Sequence, residues 1–139
     1  MRRINILLVA AAVAIGLAAA GGALASTKNA IQPAHVYFGT VVSGDHPNTL
    51  VTLHNGTGRA HKLRVIGFAG ANRYKFTNPT RPSTCKEGMI LAAGATCTID
   101  IRVHTEKVGW WRTALSVRYR PLKDARYWTA EVSAHVVAS

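Results

Sequence analysis

The stretch that decides the fold reads Cys85-Lys-Glu-Gly-Met-Ile-Leu91-Ala-Ala-Gly94-Ala-Thr-Cys97-Thr-Ile-Asp-Ile-Arg-Val103, and it holds the only two cysteines of the 139 residues. From Cys97 onward, apolar and polar residues alternate strictly. Such alternation is typical of a β-strand with one buried face. Gly94 marks a turn just before that strand. The stretch therefore predicts a turn followed by a core strand, in a sandwich that lies outside the cytoplasm.

The two cysteines are predicted to form one disulfide. An even cysteine count in an exported chain favours a disulfide over free thiols. Closing a loop this short should stabilise the fold by about 3 kcal/mol. The alternative is a metal pair. Cys85 and Cys97 stand alone, without a Cys-x-x-Cys element, so they lack the ligand spacing of a zinc site.

The N-terminus has the pattern of an export signal over residues 1–25. Two arginines precede a long apolar run, and Ala23-Leu24-Ala25 is a small-x-small cleavage site before Ser26. The alternative is a retained membrane anchor, because Ile4 to Ala25 gives 22 residues without charge, and about 20 can span a bilayer. We expect an extracytoplasmic protein (periplasmic, cell-surface or secreted) that contacts a membrane only if this segment stays attached. Residues 26–32 then form a short leader, and residues 33–139 form one domain.

The chain is strongly basic. It has 17 Lys and Arg against 6 Asp and Glu, a net charge of +11. Cleavage after Ala25 removes Arg2 and Arg3 and leaves a net charge of about +9. Such a surface attracts anionic partners, among them wall polymers, lipid head groups, nucleic acid and acidic proteins. The alternative is that the charge only keeps the protein soluble.

Alternating strands dominate the second half of the sequence. They cover residues 97–103, 111–119 and 128–136. In the first half, shorter strands alternate with turn residues, and Asn55-Gly-Thr-Gly58 predicts a hairpin turn. Six or seven short strands at roughly ten-residue spacing are typical of a two-sheet sandwich. The predicted fold is an all-β immunoglobulin-like β-sandwich of about seven antiparallel strands.

A series of motifs follows these strands and turns in order. It consists of Phe38-Gly39-Thr-Val41, Gly44, Val51-Thr-Leu-His-Asn55-Gly-Thr-Gly58, Leu63-Arg-Val65, Phe76, Cys85, the run from Leu91 through Cys97 to Val103, and Gly109. This order resembles the bacterial choice-of-anchor D and hydin-type (ASH-like) immunoglobulin-like domains. The resemblance covers residues 33–137. The chain departs from the family pattern after Val103, where members often carry an aromatic residue and a proline. The resemblance implies a non-catalytic adhesion, scaffold or interaction module without a shared active site.

Neither catalysis nor metal binding has a recognisable motif. There is no Gly-x-Ser-x-Gly element, and the six acidic residues include no close pair suited to acid–base chemistry. We therefore expect no enzymatic activity and no cofactor. A periplasmic copper or zinc protein is the alternative function, with ligands gathered from separate strands. The candidate ligands are His35, His46, His54, His61, His104 and His135.

One predicted sheet face combines arginines with aromatic residues. The outward positions of strand 111–119 and its flanks carry arginines and a tryptophan, and the next strand adds a tyrosine and a histidine. If the two strands pair, the face can bind carboxylate or phosphate through guanidinium groups and sugars or bases through ring faces. The alternative is an ordinary solvated face with Trp110 packed under a loop. We expect an anionic envelope component or a protein as partner. Nucleic acid is not expected, because export separates the protein from it and no recognition motif is present. The predicted binding face consists of Trp110, Arg112, Arg118, Arg120, Tyr127 and His135.

Overall fold

The structure is a computed structural model that describes residues 29–79 and 82–139. The predicted export signal and the first residues of the predicted leader lie outside the described residues. Within the described ranges, no helix is long and apolar enough to cross a membrane.

The described residues form ten strands and two single-turn 3-10 helices. The strands are β1 (Ile31–Gln32), β2 (His35–Val42), β3 (Asn48–His54), β4 (His61–Lys62), β5 (Val65–Ala69), β6 (Phe76–Thr77), β7 (Ile90–Leu91), β8 (Thr96–Val103), β9 (Gly109–Arg118) and β10 (Tyr127–Val137), and the 3-10 helices are Arg73–Lys75 and Leu122–Asp124.

Two four-stranded sheets make up the sandwich, in the orders β1-β3-β8-β6 and β2-β10-β9-β5, and β4 and β7 form a separate two-stranded ribbon. The prediction of an all-β fold is confirmed. The prediction that all strands are antiparallel is wrong, because β2 pairs with β10 in parallel. The parallel pair arises because the start of the chain is divided between the sheets. β1 joins the first sheet, and β2 joins the second after a cis Gln32–Pro33 bond.

The sandwich begins two residues before the predicted boundary at Pro33. Ile31 on β1 has no exposed surface and pairs with Leu53 of β3. An isoleucine buried in this way stabilises a fold by about 1.5–3 kcal/mol. The end of the predicted leader is therefore part of the core.

The alternation predicted for β8, β9 and β10 determines which side chains enter the core. Every second residue points inward, because successive side chains of a strand lie on opposite faces. Leu115, Val117 and Val132 are among the residues without exposed surface. Asp100 of β8 is also fully buried, and its carboxylate accepts a 2.8 Å hydrogen bond from the Asn48 amide.

The predicted disulfide between Cys85 and Cys97 is present, and both residues are buried. It joins the loop after Pro82 to the second residue of β8. The same loop adds hydrogen bonds along β8, since the Thr84 and Cys85 amides both donate to the Thr98 carbonyl at 2.9 Å. The disulfide thus fixes an irregular segment beside a core strand.

The turn at Asn55 does not form the predicted hairpin. It connects β3 to β4, which lie in different sheets and do not pair with each other. Asn55 is fully buried, and its amide donates to the Leu91 carbonyl at 2.9 Å and to the Ala92 carbonyl at 3.1 Å. These bonds hold the turn against the end of β7 and the residue that follows it.

Candidate functional site

The outward face of the β2-β10-β9-β5 sheet carries the predicted binding residues. β9 and β10 pair in antiparallel register over their whole common length, from Tyr127 opposite Arg118 to Val136 opposite Gly109. The strand pairing on which the site prediction depends is therefore present. Residues at even positions of β9 and odd positions of β10 point away from the core.

The predicted residues do not form one cluster. Trp110 lies opposite His135 at one end of the strand pair, and Arg118 lies opposite Tyr127 at the other. Eight residues along a strand span roughly 26 Å. Arg120 lies beyond the end of β9. The structure therefore brings the predicted residues together in two groups, which we call the Trp110 end and the Arg118 end.

Three rings meet at the Trp110 end, and we call them the aromatic patch: Tyr37, Trp110 and His135. The Trp110 and His135 rings are stacked, with centroids 4.1 Å apart and planes 4° from parallel. Tyr37 lies 6.3 Å from Trp110 with planes 13° from parallel. Despite these contacts Trp110 is 66% exposed and Tyr37 is 58% exposed. The alternative in which Trp110 packs under a loop is therefore wrong.

Sequence reasoning missed Tyr37. Tyr37 follows the buried Val36 on β2, so its side chain points to the outward face. Its proximity to Trp110 depends on the parallel pairing of β2 with β10, which places Tyr37 opposite Ser133. No local pattern signals a pairing between strands this far apart in the chain.

A mixed polar group borders the aromatic patch. Arg112 Nε lies 3.4 Å from Glu131 Oε1, and His35 Nδ1 lies 4.0 Å from the same oxygen. All three side chains are open to solvent, with Arg112 74% exposed. They line a shallow trough of about 440 Å³ that crosses the strands, together with small residues such as Ala34 and Ala114. The trough thus presents cationic donors and one carboxylate acceptor above a floor of small side chains.

The Arg118 end has less free charge than the sequence indicates. Arg120 Nη1 lies 2.6 Å from Asp124 Oδ2, and Arg126 Nε lies 3.9 Å from Asp124 Oδ1. Arg118 is half-buried, and its Nε is buried without a hydrogen-bond partner among the described residues. Tyr127 beside it is 51% exposed. This end therefore offers an exposed phenol ring but arginines that are partly engaged.

A histidine with a lowered pKa lies beside the Arg118 end. Burial, then the charges of Arg120 and Arg59, lower the pKa of His61 below its ordinary value of 6.5. The imidazole lies 4.8 Å from the Tyr119 ring, which itself stacks on Trp128 at 4.0 Å. Burial and the two arginine charges favour the neutral imidazole.

The histidines do not converge on one point. His46 and His104 stack at 5.1 Å, and His135 stacks on Trp110. Within residues 29–79 and 82–139, no group of three or more His, Cys, Asp or Glu side chains is placed to hold a metal ion. The copper or zinc alternative therefore has no set of ligands in the part of the chain that the structure describes.

No protein-family profile and no curated protein sequence matches the chain. Solved structures with a similar fold include the ASH/PapD-like domain 7 of human CEP192. That domain has a TM-score of 0.53 and 15% sequence identity, over 78% of this chain and 84% of the domain.

Two proteins of Vibrio cholerae also have similar folds. The VesB protease has a TM-score of 0.51 and 13% identity, over 73% of this chain and 30% of the protease. The secreted serine protease VesC has a TM-score of 0.52 and 18% identity, over 72% of this chain and 21% of the protease. The chain spans less than a third of either protease. At these identities the likeness shows the fold alone, and with the CEP192 domain it confirms an immunoglobulin-like sandwich.

Proposed function

We propose that the protein is an exported, non-catalytic immunoglobulin-like binding module that holds an anionic component of the cell envelope, or an acidic protein, on the outward face of its β2-β10-β9-β5 sheet. Within the immunoglobulin-like fold we assign it to the choice-of-anchor D and hydin-type (ASH-like) domains of bacteria. The observation that carries the proposal is the exposed Trp110, stacked on His135 beside Arg112.

Exposed aromatic residues that cluster on a regular sheet favour a binding role. Tryptophan and tyrosine bury large areas when they are covered, so leaving them in water forgoes stabilisation. Single exposed apolar residues are common, but clusters with a polar rim mark interaction sites. Tyr37 and Trp110 form such a cluster, and Arg112 supplies the rim. Both β9 and β10 are held by hydrogen-bonded strands on either side, so the cluster sits on a rigid support.

Charge favours an anionic partner. The described residues include an excess of Lys and Arg, and the chain has a net charge of +11. Positive surfaces raise the rate of encounter with anionic molecules, and guanidinium groups bind carboxylates and phosphates with two parallel hydrogen bonds. Arg112 is 74% exposed and can turn toward a ligand.

Export is supported by the disulfide and the N-terminal pattern. Disulfides persist mainly in oxidising compartments. The arginines, apolar run and Ala-x-Ala site of residues 1–25 fit a cleaved signal. Intact mass of the protein purified from the extracytoplasmic fraction tests this part, and a chain that still starts at Met1 would contradict cleavage.

Co-sedimentation with isolated cell envelopes at low salt tests the binding role. A double variant, Trp110→Ala with Arg112→Ser, should bind at least about tenfold more weakly, because it removes the exposed ring and its neighbouring charge. The matched control combines Tyr74→Ala with Lys62→Ser, which removes an aromatic ring and one positive charge from other surfaces. The control should bind like the wild type. If both double variants keep wild-type binding, the sheet face is not the site.

A further inference from the structure

We propose that the aromatic patch, with Arg112 and Glu131, forms a site for a carboxylate-bearing polysaccharide. The inference rests on the proposed function, because it names the ligand class of the same sheet face. It restricts the site to the Trp110 end and adds Tyr37, His35 and Glu131 to it.

The aromatic patch suits sugar rings. Trp110 and Tyr37 are nearly parallel, 13° apart, with ring centroids separated by 6.3 Å. The negative face of an aromatic ring attracts the weakly positive hydrogens on the apolar face of a pyranose ring, much as it attracts the edge of another aromatic ring. Stacking on His135 fixes the indole on one side. The exposed remainder of Trp110 and Tyr37 can therefore receive neighbouring sugars of one chain.

The polar group beside the patch suits hydroxyls together with a carboxylate. A sugar hydroxyl both donates and accepts, so it needs an acceptor and a donor nearby. Glu131 is an exposed acceptor, and His35 and Arg112 lie beside it. Arg112 faces Glu131 through Nε at 3.4 Å, and this contact uses one nitrogen of the guanidinium. Its Nη groups remain for a bidentate contact with a carboxylate.

Arg112 lies close enough to the aromatic patch for one ligand to contact both. It follows Trp110 by two residues on β9, so the two side chains lie on the same face about 7 Å apart along the strand. The trough of about 440 Å³ continues from Arg112 across the sheet. A polymer stacked on the patch would therefore place its next polar groups over Arg112 and Glu131.

Glu131 favours a glycan over a polyphosphate or nucleic acid. A nucleic acid backbone needs a groove of cationic groups along its phosphates. Here Glu131 lines the trough, and its carboxylate, 3.4 Å from Arg112 Nε, offsets the charge of that arginine. The hydroxyls of an acidic glycan can donate to that carboxylate while its own carboxylate contacts the Arg112 Nη groups, whereas a phosphate backbone offers Glu131 only acceptor oxygens. The surrounding net positive charge favours an acidic glycan over a neutral one.

Calorimetric titration of the purified protein with four probes tests the proposal. The probes are a galacturonate hexamer, the same hexamer as its methyl ester, poly-glutamate and a thymidine oligonucleotide. The acidic hexamer should bind most tightly. Trp110→Ala should weaken its binding about tenfold, the loss expected for one aromatic contact. Arg112→Gln should weaken binding of the acid more than binding of the ester, because only the acid offers a carboxylate to the guanidinium. Tyr74→Ala is the control, because Tyr74 is 65% exposed and belongs to the 3-10 helix after β5, outside the strands of the sheet and outside the aromatic patch.

The outcomes separate this proposal from the proposed function. If poly-glutamate binds as well as the hexamer and Trp110→Ala has no effect, the glycan site is overturned while anionic binding stands. If the oligonucleotide binds more tightly than the hexamer, the assignment to glycans is overturned. If the ester binds as tightly as the acid, the carboxylate contact with Arg112 is overturned. If no probe binds but envelopes are still retained through Trp110 and Arg112, the glycan site fails and the proposed function survives.

Discussion

Replacing Asn55 with alanine is expected to lower the free energy of unfolding by about 3–5 kcal/mol. The buried amide donates to the carbonyls of Arg59, Leu91 and Ala92 at 2.7, 2.9 and 3.1 Å, and its oxygen accepts the Thr57 amide at 3.1 Å. The amide has only two N–H groups for the three carbonyls, so two donor bonds are counted, at about 1 kcal/mol each. A buried carbonyl left without its donor costs about 1–3 kcal/mol more.

An isosteric replacement tests the same reasoning more sharply. Asn55→Asp keeps the shape but turns the donor nitrogen into an oxygen that faces carbonyl oxygens. At pH 7 it should destabilise more than alanine, because it buries an unpaired charge. The surrounding carbonyls favour the protonated acid, so the cost should shrink as the pH falls. The alanine variant has no such dependence.

Urea unfolding followed by circular dichroism at pH 7 and pH 4 provides the measurement, with the disulfide intact in every variant. Asn72→Ala is the control, since that amide makes one 3.2 Å bond to the Arg112 carbonyl at an exposed site and should cost about 1 kcal/mol or less. If Asn55→Ala stays within about 1 kcal/mol of the wild type, Asn55 does not hold the turn as argued.

Three further predictions follow from the core, the disulfide and the lowered pKa. Reducing the disulfide, which links residues 12 positions apart, should lower the free energy of unfolding by about 3 kcal/mol, and an unchanged urea midpoint with both thiols titrated would contradict this. Burial, and then the charge of Arg120, lower the pKa of His61, so the imidazole binds its proton more tightly in the unfolded chain than in the folded one. The resulting contribution of His61 to stability is complete above about pH 6.5 and is lost as the pH falls from there to the pKa of the folded protein. Arg120→Gln should raise the His61 pKa in an NMR titration, and an unmoved titration curve would remove the arginine as a cause. Leu115→Ala should cost about 2–5 kcal/mol in thermal or urea unfolding. Leu122→Ala, at a position 77% exposed, should cost less than about 0.5 kcal/mol, and equal losses would place Leu115 outside the core.

The second half of the fold could be predicted because each strand carries its own pattern. Ile99, Val117 and Val132 alternate with polar neighbours, so the buried face of each strand can be predicted from two or three residues. The disulfide followed from composition and compartment. In the first half the pattern was less informative. The burial of Ile31 and the parallel pairing of β2 depend on partners far along the chain, which no window of sequence contains.

The candidate site could be predicted only in part, because alternation gives the face of a strand on which a residue lies but not its neighbours on other strands. Alternation placed Trp110, Arg112 and Arg118 on one face of a strand. It did not say that Trp110 and Arg118 lie roughly 26 Å apart, although the rise per residue already implies it. Tyr37 could be placed only by knowing that β2 flanks β10, and Glu131 only by knowing that β10 flanks β9. The engagement of Arg120 by Asp124 depends on the local turn after Pro121. The face of a strand on which a residue lies can thus be predicted from the sequence, whereas its neighbours on other strands cannot.

The position of β10 has a consequence for how the chain reaches its folded state. β10 is the last strand in the sequence, yet it lies inside its sheet, between β2 near the start of the chain and β9. The second sheet cannot close until residues 127–137 are available. β2 therefore lacks its partner strand until residues 127–137 have been synthesised, and closing so long a loop slows folding. The four strands of the first sheet all end by Val103, so that sheet can pair while the second sheet still lacks its β10 strand.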